Sequence, residues 1–184
     1  MDVTEVDSEL ENIINGCLQN NRLSQRQLYD RYASRMFGIC RRFANSDEEA
    51  EDMLMEGFMQ IFKGLETFKG DSSFLTWMHS VMVKSAISHY RSIRRFRNEQ
   101  FVGTLGDDFE FGEEETITTM VEARLVVDKL QRMPENLRVV FNLRAVENFS
   151  FTEISDMLGK KENAVRVAYM RARQWMLKEL EVSS

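Results

Sequence analysis

Apolar residues recur at helical spacing over most of this chain. Leu10, Ile13, Ile14, Cys17 and Leu18 follow the i, i+3, i+4, i+7, i+8 pattern of one buried helix face. Ser24 with Gln27 fits a capping box, which predicts a second helix through Leu28, Tyr32, Met36, Ile39 and Phe43. Between Asp47 and Lys63, Ala50, Met53, Leu54, Phe58, Ile61 and Phe62 share a single face. A turn-forming KGDSS stretch follows, with Ser72 or Ser73 placed to cap the next helix, whose apolar stripe is Leu75, Met78, Met82, Val83, Ala86, Ile87 and Tyr90. The periodicity then lapses. It resumes with Val121, Leu125, Val126, Leu130 and Met133, stopped by Pro134, and continues through Leu137, Val140, Phe141 and Ala145.

The last forty residues carry a tighter signature. Asn148 suits a left-handed C-cap. Ser150 and Glu153 form an S-x-x-E capping box for a short helix through Ile154, Met157 and Leu158, and Gly159 supplies a turn. A longer helix follows from about Glu162, with Val165, Tyr169, Ala172 and Met176 facing inward. Two helices joined by a short glycine turn form the signature of a DNA-binding helix-turn-helix, with a generic helical hairpin as the plainer alternative.

The pattern therefore predicts an all-α chain of two small helical domains. Its parts are an N-terminal helical extension (1–23), a first domain (24–97), a linker (98–120) and a second domain (121–184). One Pro and nine Gly in 184 residues supply too little turn chemistry for a many-stranded β fold.

Charge changes the picture. The net charge of −6 by itself argues against nucleic acid, but its placement does not. Residues 1–71 carry −6, residues 72–98 carry +5 with no acid, residues 99–122 carry −8 with no base, and residues 123–184 carry +3. Two cationic segments flank an anionic, Gly- and Asp-containing one, the composition of an extended linker.

Second stripes on three helices carry the candidate chemistry. Asp52, Met55, Glu56, Met59, Gln60 and Lys63 line the side opposite the apolar face of their helix. Two long flexible apolar side chains among carboxylates suit docking to a basic partner, against the alternative of a solvated acidic face. Trp77, Lys84, Ser88, Arg91 and Arg95 make a line of one aromatic and several bases that fits nucleic acid, where cations neutralise phosphates and aromatics stack on bases. The alternative there is a packed Trp77 with solvated arginines. On the last helix Asn163, Arg166, Met170 and Arg173 face outward. Asn163 and Arg166, near the N-terminus, are placed to read base edges, and Lys160, Lys161, Arg171 and Arg173 to hold phosphates.

Other function classes find no support. No convergent catalytic set, Walker glycine loop or G-x-S-x-G is present, so neither an enzyme nor a cofactor is expected. His79 and His89 stand ten residues apart without a ligand set, which speaks against a metal, and His79 is expected to be packed. Cys17 and Cys40 sit at apolar helical positions as buried free thiols. No apolar run approaches the ~20 residues of a membrane span, so a cytoplasmic protein without membrane insertion is expected.

These residues resemble a known family. The run DEEAEDMLMEGF (47–58) is similar to the polymerase-binding helix of bacterial sigma factors. FKGDSSFLTW (68–77) is similar to the promoter-melting loop of their extracytoplasmic-function (ECF) subgroup. MPENLRVVF, then FTEISDMLG, then residues 165–173 resemble the family's C-terminal helix-turn-helix. The resemblance spans about residues 24 to 180, in the family's order. It implies a factor that binds core RNA polymerase, including its β subunit, and directs it to promoter DNA. Asp52, Met55 and Glu56, with Met59 and Gln60 alongside, would meet the β′ clamp helices. Lys69, Gly70, Asp71, Ser72 and Ser73 would capture a base flipped from the minus-ten element, and the helix from Thr76 would read that element. The helix-turn-helix would read the minus-thirty-five element, the acidic linker would thread the polymerase channels, and an anti-sigma factor would hold the protein inactive. The match departs at Lys84, where the family often has Asn, at Ser88-His89, where Asp-Tyr is common, and at Asn163-Ala164, Val167 and Ala168 in the recognition helix. These departures leave the promoter sequence open. The alternatives are a stand-alone helix-turn-helix regulator and a helical adaptor with no DNA role.

Overall fold

A computed structural model describes residues 3–97 and 123–181; the predicted acidic linker at 98–120 lies outside the described residues. All regular structure within them is helical. The order is α1 (Val3–Leu18), α2 (Arg22–Phe43), α3 (Asp47–Gly64), a 3-10 turn (Leu65–Thr67), α4 (Phe74–Arg97), α5 (Ala123–Arg132), α6 (Glu135–Phe141), a π-helical turn (Asn142–Val146), α7 (Phe151–Leu158) and α8 (Glu162–Glu181). The chain divides into two compact units, Met1–His89 and Tyr90–Ser184, so the division falls within α4. No described helix is long and apolar enough to cross a membrane.

In the first unit the predicted stripes are the core. Leu28, Met36, Ile39 and Phe43 of α2 pack with Ala50, Met53, Leu54, Phe58 and Ile61 of α3 and with Met78, Met82, Val83, Ala86 and Ile87 of α4, all buried. Leu10, Ile14, Tyr32, Phe62 and Leu75, expected on those stripes, are only half-buried, and Leu18 at the end of α1 is exposed. The start of α2 differs from the sequence expectation. Asn21 is its N-cap, and its side-chain oxygen accepts from the backbone N–H of Leu23 at 2.9 Å and of Ser24 at 3.2 Å. Asn20, in the left-handed region at φ 57°, turns the chain sharply after α1, so α2 begins before Ser24 can cap it. Ser46 caps α3, and Asp47, Glu48 and Glu49 crowd its first turn, where the helix dipole favours anions.

The α3–α4 contact depends on one glycine. A Cβ on Gly57 would lie 2.2 Å from Met82 Sδ, which itself accepts from the Cys40 thiol at 3.5 Å. Both cysteines are free and buried, as the spacing predicts.

The second unit buries Leu130, Val140, Leu143, Ile154, Val165 and Ala172, and at the edge of this core the half-buried Tyr169 stacks on Phe141 of α6 and meets Phe151 of α7 edge-on. The predicted capping box is complete, with Ser150 Oγ accepting from the Glu153 N–H and Glu153 accepting from the Ser150 N–H. Gly159 is left-handed at φ 62° and Asn148 at φ 59°, both as expected. Ala145 is not inward. The π-helical turn, closed by Glu147 N–H donating to Asn142 O, inserts a residue into the helical phase, so Leu143 and Asn142 are buried and Ala145 is exposed. Arg138 is 1% exposed, and its guanidinium donates to the carbonyls of Gln131 and Met133, groups that the end of α5 leaves without helical partners.

Candidate functional site

The second stripe of α3 points to solvent. Asp52, Met55, Glu56, Met59, Gln60 and Lys63 are all exposed, with Met55 at 55% and Met59 at 53%. An exposed methionine pair one helical turn apart leaves a deformable apolar strip without cover, framed by carboxylates.

The line on α4 divides in two. Lys84, Ser88, Arg91 and Arg95 are exposed as expected. Trp77 shares their angular position on the helix but is half-buried. Its ring stacks on Phe74 with centroids 5.6 Å apart and tilts against Phe68 at 5.5 Å, with Gly64 against the indole edge. The two phenylalanines at the ends of the KGDSS turn pack against the indole, so Trp77 is partly covered where the exposed bases of its line are not. That cluster anchors a loop whose residues Lys69, Gly70, Asp71, Ser72 and Ser73 are all exposed. Gly70 turns it at φ 79°. Ser73 closes it, accepting from the Thr76 N–H at 3.1 Å as the cap of α4. A short polar loop pinned at both ends by aromatic packing is a preset surface.

The structure joins the two stripes. A groove of about 450 Å³ runs between α3 and α4, with Glu56, Met59 and Gln60 on one wall and Val81, Lys84, Ser85 and Ser88 on the other. His89 does not share the outward direction of Ser88. Its ring is turned toward α3, where Nδ1 donates to Glu56 Oε2 at 2.9 Å and Nε2 lies 3.8 Å from Glu49 Oε1. His79 is half-buried.

In the second unit Lys160, Lys161 and Asn163 are exposed at the start of α8. Arg166, Met170, Arg171 and Arg173 are half-buried. Arg166 is held in place. Glu162 Oε1 accepts from its Nε at 3.0 Å and from an Nη at 2.7 Å, and the guanidinium lies 4.4 Å from the centre of the Phe151 ring. Arg144 approaches the same ring at 5.0 Å. Thr152 donates to the other Glu162 oxygen, and the hydrogen bonds from Arg166 and Thr152 hold the Glu162 carboxyl below the usual range. Val167 and Ala168, which the sequence left as departures on the recognition helix, are buried. They pack the unit and cannot face a base. Sequence reasoning missed Arg144, Phe151, Glu162 and His89. Only the i, i+4 spacing of Glu162 and Arg166 signalled any of these. Among the described residues no cluster of three His, Cys, Asp or Glu could hold a metal.

Comparison with known sequences places this geometry. The sequence model for sigma-70 region 2 matches residues 28–96, and that for sigma-70 region 4 matches residues 123–176. The chain belongs to the ECF subgroup of the sigma-70 family.

This sigma factor is 25% identical over 173 residues to the ECF RNA polymerase sigma-E factor of Haemophilus influenzae, covering 89% of this chain and 90% of that one. It is 27% identical over 162 residues to the RNA polymerase sigma-H factor of Pseudomonas aeruginosa, covering 82% and 83%. Among solved structures it is similar to Bartonella quintana RpoE in complex with the anti-sigma factor NepR, with 15% identity, a TM-score of 0.47 and coverage of 99% and 100%. The groove-bearing unit is thus sigma region 2 and the helix-turn-helix unit is region 4. A stand-alone helix-turn-helix regulator would have no use for the region 2 match at residues 28–96.

Proposed function

We propose that this sigma factor docks on core RNA polymerase through the outer stripe of α3, with Asp52, Met55, Glu56, Met59 and Gln60 against the β′ clamp helices. The observation that carries this is the pair of methionines, each more than half exposed, set among carboxylates on a helix whose opposite face buries Ala50, Met53, Leu54, Phe58 and Ile61. The β subunit would receive the region 4 unit. The pinned loop Lys69–Ser73 and the exposed Lys84, Ser88, Arg91 and Arg95 would meet the minus-ten element as it opens, with the half-buried Trp77 supporting the loop. Lys160, Lys161 and Asn163, with the prearranged Arg166 and with Arg171 and Arg173, would meet the minus-thirty-five element. Promoter opening would use binding energy alone, trapping bases as they leave the stack. An anti-sigma factor would compete for the methionine stripe, and the protein would act in the cytoplasm.

Binding of the chain to core polymerase, followed by run-off transcription on genomic templates, tests this. Met55→Ala and Glu56→Ala should weaken polymerase binding without altering the far-UV circular dichroism. Unchanged binding by both variants, or no stimulated initiation on any template, would refute it.

A further inference from the structure

The side chain of His89 stands between two carboxylates of the neighbouring helix. Glu49 and Glu56 lie two turns apart on α3, and the imidazole enters between them from α4. The His89 side chain is 12% exposed, so its orientation is set by packing, while that of Glu56 is 54% exposed and projects along the groove rim. Nδ1 donates to Glu56 at 2.9 Å, whereas buried Nε2 has no hydrogen-bond partner and only the more distant Glu49 oxygen before it. The Glu49 carboxylate is oriented through its other oxygen, Oε2, which accepts from the backbone N–H and the side-chain amide of Asn45 at 2.7 and 2.8 Å, and Oε1 stays 3.8 Å from the ring. The one short contact of the ring is therefore with Glu56.

A glutamate on an exposed helix face is normally free to sample several rotamers, and docking must then fix one of them. Here an almost buried group, itself fixed by packing, has already done so. From this we infer that His89 is a positioning residue for the polymerase-facing stripe: it sets the Glu56 carboxylate in its docking orientation, and through it ties the stripe on α3 to the helix that carries Lys84 and Ser88. This rests on the polymerase reading of that stripe. It gives His89 a role that no minus-ten contact could, since its ring faces away from the outward line.

The test is the affinity of the full chain for core polymerase, measured by competition against a labelled wild-type chain. Glu56→Ala measures the worth of the carboxylate. His89→Leu fills the space but removes the donor, and should lower affinity about two- to fivefold, the scale of a part-exposed ionic hydrogen bond. His89→Asn places an amide N–H near the position of Nδ1 and should restore most of that loss. His89→Gln carries its amide toward Nε2 and Glu49 and should not. The Glu56→Ala/His89→Leu double variant should be no weaker than Glu56→Ala alone. Native affinity of His89→Leu beside a weakened Glu56→Ala would overturn the inference and leave the stripe reading standing, as would equal behaviour of the Asn and Gln variants. Native affinity of Glu56→Ala would overturn the role of His89, and only native affinity of Met55→Ala beside it would overturn the stripe reading as well. Because Asn and Gln differ only in reach, their comparison holds even if the Leu variant does not fold.

Discussion

Gly57→Ala tests whether the spacing of α3 and α4 is set where the structure places it. A methyl there would lie 2.2 Å from Met82 Sδ and 2.6 Å from its Cε. Ordinary carbon–sulfur contact needs well over 3 Å, so the thioether must move by more than an ångström. Met82 is 0% exposed, and Cys40 Sγ stands 3.5 Å from the same sulfur, so the side chain has little room to swing. Overpacking a filled core costs about 1–3 kcal/mol. Against this, alanine in place of glycine inside a helix contributes about 0.5–1 kcal/mol. The net expectation is a loss of up to about 2.5 kcal/mol, centred near 1, a drop of several degrees in Tm for a domain of this size. The two tryptophans make the assay local, because Trp77 lies in the first unit and Trp175 in the second. In a Trp175→Phe background, denaturant unfolding followed by Trp77 emission reports the first unit alone. The sharper test is the sign reversal. With Met82→Ala the obstructing sulfur is gone, and Gly57→Ala should then stabilise. Stabilisation by Gly57→Ala in the presence of Met82, or the same cost in both backgrounds, would refute the reasoning.

Three further outcomes follow from particular contacts. Burial pushes the Cys40 thiol up to about 12, so at pH 8 iodoacetamide should leave it unmodified until the protein unfolds; mass spectrometry showing native-state alkylation at the rate of a free thiol would contradict this. The hydrogen bonds from Ser150 hold the Glu153 carboxyl below its ordinary 4.5, so its contribution to stability is present above that value and is lost as pH falls through the lowered folded value. Ser150→Ala should cost about 1 kcal/mol at pH 7 and flatten that acid slope, as measured by Trp175 emission. Arg166→Ala should weaken holoenzyme binding to minus-thirty-five duplexes by about 1–3 kcal/mol at one base position. Phe151→Leu, which removes the ring beneath the guanidinium together with its contacts to Arg144 and Tyr169, should weaken the same binding by about 0.5–1 kcal/mol. A uniform loss on all sequences with Arg166→Ala would make it a phosphate contact.

Much of the region 2 and region 4 architecture was legible before any coordinates. The stripes through Met36, Phe58, Met82 and Val165 are buried as their spacing requires, and the Ser150–Glu153 box and the Gly159 turn stand where the short motifs put them. The exposed α3 stripe was legible for the same reason. The errors share a cause. Ser24 has the right chemistry to cap α2, but the turn at Asn20 decides where the helix starts. Ala145 keeps helical spacing in the sequence, but the π-helical turn rotates it outward. The charge blocks also averaged away a feature, because the −6 of residues 1–71 conceals α2, which carries six arginines and one aspartate.

The sequence by itself determined the helices, their inward faces, the helix-turn-helix and the family. Each of these is written in periodicity or in motifs a few residues long, and local sterics and hydrogen bonding enforce them. Only the tertiary structure decided which outward residues act together. It packed Phe68 and Phe74 against Trp77, set Arg166 against Glu162 and Phe151, opened a groove between Glu56 and Lys84, and turned His89 back onto Glu56. The pairings between helices join residues far apart in the chain, His89 and Glu56 by thirty-three residues, and their meeting depends on how helices cross and rotate against a shared core, which no spacing along one helix records.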